Sequence, residues 1–166
     1  HLDKGGRRGY DYFKGRCMNM RTVDTKEYLD TVCALLEAGQ QNLSVPVAGS
    51  SMCPFLYPED TVFLSAVEAP LKPGNIYLFQ RPGGRYVLHR LLREDGDGTL
   101  WMLGDNQRTE EPVSGADMLR AQAVSVRRKG KTCAPGSFLW WFFAVPWLRL
   151  RWLRVWVSFF SWRRQR

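Results

Sequence analysis

The sequence predicts a mainly β domain: a partly closed sheet preceded by one helix and followed by a C-terminal amphipathic helical segment. Three observations point there. Six short β-type runs, separated by turn residues, fill the middle of the chain. A single stretch of helical spacing precedes them, and a segment rich in Trp, Phe and Arg follows.

Residues 1–23 are polar and rich in Gly and Arg, which reads as a flexible lead-in with no apolar stretch for a signal peptide or anchor. Met18 or Met20 is an alternative start. The helix is expected over 24–39: Asp24 with Glu27 resembles a capping box, and Tyr28, Leu29, Val32, Leu35 and Leu36 recur at helical spacing. Gly39 is a natural stop. The β-type runs are 44–47, 61–65, 76–80, 85–92, 99–103 and 119–127, with tight connections at "RPGGR" and "EDGDG". The domain is therefore placed at 24–132, with its β core over 43–128.

Residues 133–166 are a different material. Pro146 divides them, and the apolar piece before it is too short to span a bilayer. On a helix beginning near Trp147, Arg151, Arg154, Ser158 and Ser161 form a polar stripe opposite Leu148, Trp152, Val155, Trp156, Phe159 and Phe160. Spanning would bury Arg149, Arg151 and Arg154 at roughly 2.5 to 3.5 kcal/mol each. Lying in the interface avoids that cost. The bland alternative is a helix packed on the protein's own core or on a partner.

Charge supports a membrane partner over nucleic acid. The chain of 166 residues carries +8, yet residues 127–166 hold ten Lys or Arg and no acid, leaving fourteen basic against sixteen acidic residues upstream. The body is nearly neutral, and the basicity sits among aromatics, as an anionic membrane surface requires. The expected location is peripheral, on the cytoplasmic face of a bacterial membrane; a translocated orientation is the alternative. Cys17, Cys33, Cys53 and Cys133 form no C-x-x-C pair, so no metal and no redox motif is indicated. No cofactor is called for.

The stretch "AGSSMCPFLYPEDTVFLS" is built to present a hydroxyl. A serine needs a base to take its proton. Apart from His1, the only imidazole is His89, in an alternating run where Val87, His89 and Leu91 share one face. A lone histidine on a strand is more often a satisfied structural residue. In "LGDNQRTEEPV", Asp105 and Glu111 are carboxylates able to orient an imidazole, although an ordinary Asx turn reads the same way. Cys53, two residues from Ser51, is a rival nucleophile with no adjacent His or Asn to favour it.

In order, Ser51-Met52-x-Pro54, the Gly74-x-Ile76 strand, Val87-x-His89-Arg90 and Gly104-Asp105-Asn106 resemble the signal peptidase and LexA-like superfamily of serine peptidases. The likeness covers about residues 43–126. Histidine followed by arginine is similar to the endoplasmic-reticulum and archaeal branch, also found in some Gram-positive bacteria. The resemblance implies Ser51 as nucleophile, His89 as base, and Asp105 or Glu111 as the orienting acid. It also implies an oxyanion-hole role for the Ser51 amide and a substrate cleft shaped around Met52 and Pro54. Glu111 stands where the family usually has Asp, and Gly49 has no hydroxyl to add to the oxyanion hole.

The expected activity is cleavage of a precursor or leader peptide, or of a preprotein, close to a membrane. A catalytically inactive, membrane-associated domain of the same fold is the alternative. A DNA-binding regulator with a self-cleaving half is a third, weak because the helix before the sheet offers no helix-turn-helix.

Overall fold

A computed structural model describes residues 25–149. Within them, helix α1 (Thr25–Glu37) leads into strands β1 (Leu43–Pro46), β2 (Thr61–Ser65), β3 (Ile76–Gln80), β4 (Tyr86–Glu94), β5 (Thr99–Leu103) and β6 (Glu111–Ser114). A 3-10 turn (Ala116–Met118) precedes β7 (Leu119–Arg128), β8 (Lys131–Cys133), α2 (Phe138–Ala144) and α3 (Pro146–Arg149). The mainly β expectation holds, with three run boundaries (β2, β3 and β5) matching the sequence reading.

Leu29, Val32, Cys33 and Leu36 are the buried stripe of α1. The helix stops where Gly39 takes φ +94° and the Gln40 N–H donates to the Leu35 carbonyl at 3.0 Å. Asp24 lies outside the described residues, so the capping box does too.

All strand pairs are antiparallel, in the order β1-β2-β7-β3-β4-β5-β6, with β8 added to β7. The sheet does not close, because β1 and β6 each pair on one side only. Alternation along β3 divides the interior: Ile76 and Leu78 join a core with α1, β1, β2 and the 52–56 segment, while Tyr77 and Phe79 join a second core with Leu91, Leu100 and Met102. Both connections named from sequence are hairpin turns, with Arg81 N–H donating to the Arg85 carbonyl and Asp95 N–H to the Thr99 carbonyl, each at 2.9 Å.

Strands β6 and β8 go beyond the sequence reading. The first carries Glu111 and Pro112 and is an edge, where proline's missing donor costs nothing. The second is three residues long.

The C-terminal segment divides differently from the expectation of a tail starting at 133. Trp140, Phe143 and Trp147 are buried in the first core, and Phe55 meets Trp140 edge-on with ring centroids 5.5 Å apart. Ser137 caps α2, its hydroxyl accepting from the Trp140 N–H at 3.3 Å. The domain thus continues through α2 and α3, because these aromatics supply apolar volume that the open sheet lacks. Phe138 (75% exposed) and Trp141 (51%) face outward from α2. No helix among the described residues is long and apolar enough to cross a membrane. The stripe of Arg151, Arg154, Ser158 and Ser161 lies outside the described residues.

Candidate active site

The loop carrying Ser51 is anchored at both ends. Met52, Phe55 and Leu56 are buried in the first core. Asp60 accepts the Tyr57 N–H at 2.8 Å and the Arg128 Nε–H at 2.9 Å, tying the loop to β7. Ser51 itself is half-buried, and Ser50 is exposed.

The Gly104-Asp105-Asn106 turn after β5 locks onto this loop. The Asn106 N–H donates to the Ser51 carbonyl at 2.8 Å, and the Asn106 Nδ2 to the Ser50 carbonyl at 3.4 Å. Gly104 is where the parts converge: a Cβ there would stand 2.6 Å from the Ser51 carbonyl oxygen and 3.0 Å from His89 Nε2. No residue with a side chain fits in that gap, so glycine is what lets the serine loop and the imidazole approach.

His89 lies on β4 opposite Tyr77, on the face of Val87 and Leu91, and its ring is 6.0 Å from that of Phe79. It is 1% exposed. Burial pushes its pKa down to about 4; the Glu111 carboxylate works against that shift, and the Arg81 guanidinium adds to it. The ring is therefore neutral near pH 7. Nδ1 is buried without a hydrogen-bond partner, with Glu111 Oε2 3.7 Å away. Ser51 and His89 line one cleft of about 620 Å³, together with Met52, Arg81, Arg85 and Gln107. Among the described residues, the Ser51 hydroxyl makes no hydrogen bond to the ring, as is common before substrate tightens such a site.

The two candidate acids have different surroundings. Asp105 is sealed in a pair with Arg90, whose Nε is 2.8 Å and 3.0 Å from the two carboxylate oxygens; neither side chain has measurable exposure. Arg90 also donates to the Gly74 carbonyl at 2.7 Å and lies 4.5 Å over the Phe55 ring. The Trp147 indole donates to the Asp105 carbonyl at 3.2 Å. Glu111 is gripped by Arg81 through both Nε and Nη2 and faces the imidazole.

Pro54 is half-exposed and is not among the cleft-lining residues, whereas Met52 forms part of the wall. Cys53 is buried, and burial raises its thiol pKa, keeping it protonated and a poor nucleophile. Among the described residues, no three His, Cys, Asp or Glu side chains gather as a metal site. Arg81, Arg85 and Gln107 were not legible as site residues. Their only sequence signal is position, at the ends of the "RPGGR" turn and just after Asn106. No protein-family model matches the chain, and no curated protein matches it.

Proposed function

We propose that the protein is a serine endopeptidase in which Ser51 is the nucleophile, His89 the general base and Glu111 the acid facing the base. The observation that carries this reading is the convergence of Ser51 and His89 at Gly104, inside one cleft, from segments far apart in sequence. The motif resemblance to signal peptidases of the histidine type points the same way.

His89 Nε2 accepts the Ser51 hydroxyl proton while Oγ bonds to the peptide carbonyl carbon and the π pair moves onto oxygen. The Ser51 N–H makes no hydrogen bond with another described residue, which leaves it available to that oxyanion. His89 then gives its proton to the departing amine, and a serine ester remains. Water then adds to the ester carbonyl carbon while losing a proton to His89. His89 returns that proton to Oγ as the C–Oγ bond breaks, releasing the acid and restoring the hydroxyl.

Glu111 is favoured over Asp105 as the orienting acid because Asp105 is committed to Arg90. Once protonated, the imidazolium would draw in the Glu111 carboxylate, shortening the 3.7 Å separation to a hydrogen bond.

The substrate class is a precursor or leader peptide held near a membrane. The exposed Phe138 and Trp141, which precede the basic C-terminal residues in sequence, suit an anionic surface. Cleavage of a peptide library followed by mass spectrometry tests the reading: the wild type should cut, and Ser51→Ala, folded by circular dichroism, should not. Equal cutting by Ser51→Ala would overturn it. An inactive interaction domain is the second reading, favoured by the missing Ser51–His89 hydrogen bond; it predicts no cutting by either protein.

A further inference from the structure

The cleft has apolar walls and a cationic end. Val45, Val62, Leu64 and Leu78 line it, and so do Arg81 and Arg85, but among the described residues no Asp or Glu does. The two arginines flank the tight turn between β3 and β4, directly across from one another. Like charges placed opposite each other in this way repel.

Glu111 neutralises Arg81. Arg85 is exposed, and among the described residues its side chain has no hydrogen-bond or ion-pair partner. Asp30 on the neighbouring helix is already engaged by Lys26 and Tyr86, and Glu110 by Arg93. Among the described residues the hairpin therefore presents an uncompensated cation, Arg85, on the wall of the same apolar cleft that Ser51 and His89 line.

We infer that the cleft selects a peptide carrying a carboxylate beside an apolar side chain, and that Arg85 receives the carboxylate. The ligand's being a peptide rests on the peptidase reading above; the charge preference rests on the cleft alone. An acidic group is drawn toward Arg85 and a basic one is repelled by it, Arg81 being neutralised by Glu111, so the cleft discriminates by repulsion as well as attraction. The apolar wall supplies binding that salt does not screen, while the arginine contact weakens as ionic strength rises.

The test uses the full chain and synthetic extended peptides with one central Leu, scanned with matched Asp/Asn, Glu/Gln and Lys residues at each flanking position. In the Ser51→Ala protein, dye-labelled peptides are titrated by fluorescence polarisation; in the wild type, cleavage of the same peptides is followed. At one position the acid should bind about three- to tenfold more tightly than its amide, with Lys weakest. Arg85→Gln should bring that ratio to one, and Arg85→Glu should invert it in favour of Lys. Equal binding of acid and amide at every position, or a preference that survives Arg85→Gln, overturns the inference. Charge-selective binding without cleavage by the wild type would sink the peptidase reading and leave the selectivity standing. Cleavage without charge preference would do the reverse.

Discussion

Two arginine–carboxylate pairs flank His89, and their surroundings separate their roles. Arg90–Asp105 has no exposed side-chain surface, sits on the Phe55 ring and is backed by the Trp147 indole. Arg81–Glu111 is about a quarter to a third exposed; its Arg81 lines the cleft and its Glu111 faces the imidazole. A sealed pair cannot exchange partners without leaving a bare charge in the core, so it fixes backbone positions. A partly exposed pair can rearrange at less cost, which suits a group that must respond when the neighbouring ring gains a proton. Both carboxylates lie within one short stretch of sequence; burial, arginine partner and the approach to His89 distinguish them.

The largest expected effect is on the sealed pair. Asp105→Asn strands the Arg90 charge and should cost about 3 to 5 kcal/mol in urea unfolding, whereas Glu111→Gln should cost less than about 1 kcal/mol. Similar losses for the two variants would break the comparison.

Next comes the imidazole between them. Its folded pKa, about 4, lies below the ordinary 6.5, so the unfolded chain binds the proton more readily. Stability is therefore complete above about pH 6.5 and falls as pH drops toward 4, by on the order of 3 kcal/mol. His89→Gln should flatten this window in unfolding curves taken between pH 4 and 7; an unchanged slope would assign it to other groups.

The activity side of the comparison is smaller in energy but more specific. Glu111→Gln should lower kcat by about a hundredfold with KM little changed, because a neutral amide stabilises the imidazolium poorly. Unchanged kcat would remove Glu111 from the proposed mechanism. The smallest effect is at Trp147→Phe, which keeps the ring in the core and deletes the N–H that donates to the Asp105 carbonyl; a loss of about 1 kcal/mol is expected in the same urea assay.

Local pattern made the sheet legible. Alternation placed His89 with Val87 and Leu91, and glycine pairs marked the hairpins. The serine loop, the histidine and both acids were also visible, because their residue types are scarce or their order is distinctive. Sequence left open which acid faces His89, since Asp105 and Glu111 differ in their arginine partners and those partners arrive from β4 and from the end of β3. Trp140, Phe143 and Trp147 read as a membrane-seeking cluster because aromatic density is the same signal for a bilayer interface and for the missing wall of a core. Strand β6 was hidden by its acids and proline, which are tolerated there only because it is an edge.

The central claim is that His89 activates Ser51. The most direct measurement is the rate at which a fluorophosphonate modifies the intact protein, with the adduct mapped by mass spectrometry. The account predicts one adduct, on Ser51, formed rapidly by the wild type and about a hundredfold or more slowly by a folded His89→Ala variant. Labelling of Ser51 at the same rate in both proteins, or an adduct on another residue, would contradict it.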